Sequence, residues 1–207
     1  MIDVVTAGNA HLFQSELRSY CELRYEVFVN RLKWELDCDI DDERDQFDDD
    51  EAVYLLRSNG RGQVIAGARM LRTDIPSLLT DVFPYLVDGP MPRSPSIWEV
   101  TRLVVDHRKE RVEGCGNVCG QLLCGLLEFG DDYGLSHLVS VSDTRIERIL
   151  RRAGWATRRL GGAYQVGDCE VAAEIQESSP AFLAECRRRT GTHHSVLRYT
   201  TEVRRAA

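Results

Sequence analysis

The chain lacks any run of about 18 apolar residues, so no segment is expected to cross a membrane as a helix. Its opening, Met1-Ile2-Asp3-Val4-Val5-Thr6, has neither the basic region nor the long apolar stretch of a secretory signal, and a cytoplasmic location is expected. Proline is scarce. Five of the six prolines fall between residues 74 and 95, marking that stretch as loop and short turns. Positive charge is also short, 26 Lys and Arg against 33 Asp and Glu, and the net charge of −7 argues against broad binding to nucleic acid or anionic membrane. Neither a helix-turn-helix nor a basic reading helix is present. Seven cysteines without a secretory signal suggest reduced thiols, and the spacing of Cys115, Cys119 and Cys124 fits no zinc pattern. These cysteines read as buried small hydrophobes, and no metal is expected.

What is present is the composition of an ordinary globular protein, 43% hydrophobic and 29% charged, long enough for one domain over residues 1–207 with a substantial core. Residues 2–6 read as a strand, and apolar residues from Leu12 to Phe28 recur at helical spacing up to Arg31. Arg24, Phe28 and Arg31, at i, i+4 and i+7, then share a helix face. Two strands, Ala52–Arg57 and Gln63–Leu71, flank a Ser58-Asn59-Gly60-Arg61-Gly62 hairpin turn. A strand over Ser96–Asp106, a helix over Val118–Tyr133 stopped by Gly134 and a strand over Leu135–Ser142 follow. A short basic helix spans Arg145–Ala153, and the remainder suggests one or two more strands. This order implies an α/β or α+β sandwich around one mixed sheet.

Residues 23–48 are the most distinctive stretch. They carry Arg24, Phe28, Arg31 and Trp34 into a loop with ten carboxylates from Asp37 to Glu51. Such a charge run is usually a solvated loop. A calcium loop fits poorly, because Asp42 stands where a Gly is needed and Asp48 where a bidentate Glu is needed. Recognition of a small cation is the third reading, since the Trp34 indole face attracts a sulfonium or ammonium. A second constellation lies at Glu99-Val100-Thr101-Arg102. In a regular strand Glu99 and Arg102 point to opposite faces, so a shared site requires a bulge between them. That bulge would offer backbone N–H groups to a thioester oxyanion. An edge-strand ion pair is the plainer alternative.

With these residues in view, the chain resembles the acyl-homoserine lactone synthases, the autoinducer synthases of bacterial quorum sensing. The resemblance rests on Leu23-Arg24, Phe28, Arg31, Trp34 and Leu36 at their spacing, on Glu43-Arg44-Asp45-Gln46-Phe47-Asp48, and on Arg69, Glu99 and Arg102. Eight hallmark positions match: Arg24, Phe28, Trp34, Asp45, Asp48, Arg69, Glu99 and Arg102. It covers nearly the whole chain and fades after about residue 160. Leu103 departs from it, standing where the family often has Phe, a change expected to touch the acyl pocket rather than the reaction.

The resemblance implies a fold like that of GNAT acyltransferases, a mixed, mostly antiparallel sheet with a V-shaped cleft, flanked by helices. It implies two substrates, S-adenosylmethionine and an acyl thioester, and no cofactor. The products are an acyl-homoserine lactone, methylthioadenosine and a free thiol carrier. Arg24, Phe28, Trp34, Asp45, Asp48 and Arg69 would then shape the S-adenosylmethionine site, with Phe28 and Trp34 as its aromatic wall. Glu99 is the leading general base, Asp45 its rival, and Arg102 positions the thioester or the bulge. Leu103, Ser140 and Ser142 are expected along the acyl chain, where a hydroxyl can donate to a 3-substituent. Arg111, Gly114 and Gly116 resemble a phosphate-binding loop at a helix start, which favours acyl-coenzyme A. The basic run Arg145, Arg148, Arg151, Arg152, Arg158 and Arg159 favours acyl carrier protein, an acidic partner, and carrier protein is the preferred expectation. A monomer or weak oligomer is expected. Two rivals stay open: an N-acyltransferase acting on another amine, and a non-catalytic ligand sensor.

Overall fold

The structure, a computed structural model, describes residues 1–106, 108 and 117–200. Its strands are β1 (Ile2–Val5), β2 (Val53–Ser58), β3 (Val64–Arg72), β4 (Ile97–Val105), β5 (His137–Asp143), β6 (Arg158–Arg159), β7 (Tyr164–Val166), β8 (Cys169–Glu177) and β9 (Leu197–Arg198). Among the described residues they form one sheet in the order β6-β8-β5-β4-β3-β2-β1-β9, with β7 also on β8. Only β4–β5 and β1–β9 run parallel, so the sheet is mixed and mostly antiparallel.

The pairing of β4 with β5 stops early. It covers Ile97–Val100 against His137–Ser140, after which β4 continues with β3 alone and β5 with β8 alone. The sheet therefore divides between two strands that both run on, the origin of a V-shaped cleft. A bulge sits at the same place: Gly67 faces Val104 but Arg69 faces Thr101, so β4 holds one residue more than β3. Arg102 takes the extra position with φ of +51°.

Among the described residues the longer α-helices are α1 (Gln14–Arg24), α2 (Val118–Asp132), α3 (Glu147–Arg152) and α4 (Pro180–Thr190). One face of the sheet packs Ala66, Ala68, Met70, Trp98, Val100 and Leu138 against α2, whose Leu122, Leu126, Leu127 and Phe129 are fully buried. Each such side chain contributes about 1.5–3 kcal/mol by leaving water. The other face packs Val5, Leu56, Val64 and Val104 against Tyr20, Leu23, Val27 and Phe28.

Two expectations change. Helix α1 does not run to Arg31 as an α-helix but widens into a π-helical segment, Tyr25–Arg31. The wider turn leaves Arg24 and Phe28 buried and turns Arg31 out to solvent, so the three do not share a face. The end of the chain holds a helix, α4, as well as strands. Pro180 in its first turn and Gly191 at φ +73° after its last bracket it.

Candidate active site

The acidic loop folds back over the α1 face of the sheet because three arginines there need counter-charges. Arg24 grips Asp48 with both terminal nitrogens at 2.7 and 2.9 Å, and its Nε donates to Glu43 at 2.5 Å. Arg69 grips Asp45 the same way at 2.6 and 2.9 Å, reaches Asp48 at 2.9 Å and donates from Nε to Thr101 at 3.0 Å. Arg102 donates to Glu43 at 3.0 Å and lies 2.8 Å from Asp45. Three cations and three carboxylates thus form a closed, buried set. Paired, fork-shaped contacts of this kind suit Arg and fix both partners.

Hydrogen bonds hold the loop in shape around these ions. The Asp45 N–H donates to Asp48, the Phe47 N–H to Asp45, and the Tyr54 hydroxyl to Asp48, each at 2.9 Å. Burial works against the charge of Asp48, yet its bonds from Arg24 and the field of Arg69 win and hold the acid well below the usual carboxylate range. Asp45 is likewise held low, Arg69 and Arg102 outweighing its burial.

Next to this set stand the aromatics. The Phe28 and Trp34 rings stack at 4.8 Å and 12°, and the Arg102 guanidinium lies 5.7 Å from the Phe28 centroid, a cation–π contact. Trp34 packs against the α1 cluster and also against the cluster of Leu79, Leu86, Val139 and Val171. It therefore spans the two halves of the divided sheet.

The bulge decides which β4 side chains join the site. Val100, Leu103 and Val105 pack toward α2, while Val104 packs toward α1. Thr101 and Arg102 both reach the ion set, and Glu99, two residues before Thr101, shares its face. Glu99 is fully buried beneath the π-helical turn Leu78–Val82, where the Leu79 N–H donates to both its oxygens at 3.0 and 3.1 Å. Burial pushes its acid up to about 7, against the pull of Leu79 and Ser77. A carboxyl poised near neutrality suits proton transfer. Asp45 is the poorer base, since both its oxygens are bound to guanidinium.

Beside the loop lies a cleft of about 460 Å³ lined by Phe47, Ile75, Pro76 and Val82 with the carboxylates Asp49, Glu51 and Asp81. Among the described residues no group of three or more His, Cys, Asp or Glu is arranged to hold a metal ion. No helix there is long and apolar enough to cross a membrane.

The chain from residue 9 to 181 matches the family model described as autoinducer synthase. An acyl-homoserine-lactone synthase of Acinetobacter nosocomialis is 36% identical over 153 residues, 71% of this chain and 82% of that protein. The chain belongs to the acyl-homoserine lactone synthase family. It is thus an acyltransferase that makes acyl-homoserine lactones. The isovaleryl-homoserine lactone synthase of Bradyrhizobium diazoefficiens is 35% identical, over 78% of this chain and 72% of its own. Among solved structures, the CoA-dependent synthase BjaI with SAM and isopentyl-CoA superposes with a TM-score of 0.87 at 30% identity, covering 100% of this chain and 98% of that one. An N-acetyltransferase from Lactobacillus plantarum, 17% identical with a TM-score of 0.56, shares the fold.

In this synthase Arg24, Phe28, Trp34, Asp45, Asp48, Arg69 and Arg102 come together on the α1 face, with Glu99 on the same side of β4. Leu103, Ser140 and Ser142 do not join them. Leu103 packs toward α2, and the two serines share the face of Leu138. Arg111, Gly114 and Gly116 lie outside the described residues. Glu43, Tyr20, Tyr54 and Thr101 are site residues that sequence reasoning left without a role. Glu43 and Thr101 had a signal, their places inside the motif that ends at Asp48 and inside the stretch from Glu99 to Arg102.

Proposed function

We propose that the synthase acylates the amine of S-adenosylmethionine from an acyl-coenzyme A and closes the product to a lactone at the site built around Glu99. The bulge supports this reading best, because it brings Glu99, Thr101 and Arg102 to the face covered by the carboxylate loop. The loop carries more carboxylates than the three arginines neutralise, so its field favours a ligand with a fixed sulfonium. Phe28 and Trp34 offer that ligand an aromatic wall.

Glu99 takes a proton from the ammonium, relayed by water because the carboxyl is buried. The freed amine attacks the thioester carbonyl. A C–N bond forms, the C–S bond breaks, the thiol leaves with the second amine proton, and Glu99 returns the first to water. Backbone N–H groups of the bulge stabilise the oxyanion between these steps. The carboxylate of the acylated intermediate then attacks the methylene beside the sulfonium, the C–S bond breaks, and methylthioadenosine leaves. Arg24, Arg69 and Arg102 serve as positioning residues, holding the carboxylate loop against the sheet.

The neighbours support coenzyme A as the donor over the carrier protein that the basic run favoured. BjaI and MesI are both described as CoA-dependent, and MesI superposes with a TM-score of 0.84 over 95% of this chain. Arg111, Gly114 and Gly116 are the proposed contact for the coenzyme's phosphates. Arg145, Arg148, Arg151, Arg152, Arg158 and Arg159 are all exposed, but Arg145 and Arg159 are engaged by Asp143 and Glu147. The test is kcat/KM for one acyl group on coenzyme A and on acyl carrier protein. A higher value with coenzyme A is expected, and a preference for the carrier protein would reverse the assignment.

A further inference from the structure

Glu99 is buried completely, and so is Ser77, the residue that opens the π-helical turn Leu78–Val82 beside it. Ser77 caps that turn. Its hydroxyl oxygen accepts from the Thr80 N–H, and the Thr80 hydroxyl oxygen accepts from the Ser77 N–H at 3.0 Å. The N–H one residue earlier, that of Leu79, donates to both oxygens of Glu99. Successive N–H groups of one turn thus take the Glu99 carboxyl and Ser77 Oγ as their acceptors, which sets the two side by side and in hydrogen-bond contact. Proton counting fixes what the hydroxyls do. Thr80 commits its one O–H proton to Asp81 at 2.7 Å, so its oxygen is left to accept. Ser77 Oγ lies 3.3 Å from that oxygen. The Ser77 proton therefore has two destinations: the Glu99 carboxylate, or Thr80 when Glu99 is protonated and donates to Ser77 in its turn.

We propose that Ser77 is a positioning residue for the Glu99 base: its hydroxyl, held by Thr80, favours the carboxylate form and so sets the pH at which the synthase works. The inference rests on the reading of Glu99 as the base. The charged groups around Glu99 have partners of their own. From β3 comes Arg69, bound to Asp45 and Asp48, with Leu71 directly beside Glu99. Arg102, further along β4, is bound to Glu43 and Asp45. From β5 comes Val139, with His137 two residues before it on the same face, and the turn adds Asp81, bonded to Thr80. Burial pushes the Glu99 acid up, and the bonds from Leu79 and Ser77 with the field of Arg69 hold it back to about 7. A hydroxyl that donates to the ionised form lowers an acid, so its removal lets burial carry Glu99 higher.

The test measures kcat/KM for lactone formation against pH, with S-adenosylmethionine and one acyl-coenzyme A, in the wild type, Ser77→Ala and Ser77→Gly. Glycine is the second variant because it also caps a turn at little cost. In both, the rise near 7 is expected to move up by about one unit, a roughly ten-fold loss on its acid side, with the plateau above it kept within about two-fold. A rise owed to the substrate's own amine would stand at the same pH in every variant. A rise that stays in place, or kcat/KM lowered equally at every pH, overturns the proposal and leaves Glu99 as the base. Failure of both variants to fold assigns Ser77 to the fold alone and overturns it as well. A rise that survives in Glu99→Gln overturns the reading of Glu99 and the proposal together.

Discussion

The hydroxyl of Tyr20 donates to the backbone carbonyl of Arg102 at 2.6 Å and so ties helix α1 to the bulge of β4. Gly67 on β3 makes the room, since a Cβ there would lie 2.7 Å from the Tyr20 ring. The bulge is therefore held from the helix side as well as by its own side chain on Glu43 and Asp45.

Tyr20→Phe should destabilise the fold by about 1–3 kcal/mol, the cost of an unpaired buried carbonyl. It should lower kcat more than it changes KM, because the bulge shapes the reacting centre. Denaturant unfolding and lactone-forming kinetics check both. Gly67→Ala, which displaces the same ring, is expected to give the same pattern.

Glu43 is buried between Arg24 and Arg102. Glu43→Gln keeps its shape and removes its charge, leaving two guanidinium groups short of a partner. Removing one member of a buried pair costs about 3–5 kcal/mol. A lowered midpoint in urea should accompany loss of activity. A midpoint equal to that of the wild type would show that the carboxylate is dispensable to the loop.

Glu99 sits near 7 against an ordinary value of 4.5. A base must be deprotonated, so kcat/KM should rise with pH through about 7 and level off above it. Glu99→Gln should lose that rise and fall in activity by about 10²–10⁴-fold. Stability has the opposite sign. The raised acid contributes stability below its unfolded value of 4.5 that is lost as pH rises through about 7. Glu99→Gln should therefore gain stability relative to the wild type between pH 5 and pH 8, read by urea unfolding at the two pH values, about 5 and 8.

Asp45 and Asp48 are held below the ordinary carboxylate value of 3.8 by their arginines. Their stabilisation is present above that value and is lost as pH falls toward their folded values. Stability should decline on acidification below about pH 4, and Asp48→Asn should remove part of that decline while costing stability at neutral pH. Thermal unfolding across the acid range checks both.

Much of this was legible in the sequence because local chemistry wrote it there. The motif from Arg24 to Asp48 carried one arginine and the carboxylates of the ion set, the resemblance added Arg69 and Arg102, and a site shared by Glu99 and Arg102 would require the bulge that is found. Ser140 and Ser142 were fixed to a common face, but which face depended on the neighbours of Leu138 and Val139, which only the packed sheet supplies. The π-helical widening after Arg24 was hidden because it changes the period of a continuous apolar pattern without a Gly or Pro to mark it. Helix α4 buries only Leu183 and Cys186 and carries three consecutive arginines, so its apolar stripe was too thin to read even though Pro180 and Gly191 mark its ends.

The most direct measurement incubates the purified chain with S-adenosylmethionine and a panel of acyl-coenzyme A donors and follows products by mass spectrometry. The assignment of Glu99 and the carboxylate loop to lactone synthesis predicts an N-acyl-homoserine lactone with one methylthioadenosine released per lactone, and loss of both in Glu99→Gln. Free thiol released without methylthioadenosine, or a Glu99→Gln variant as active as the wild type, would contradict it.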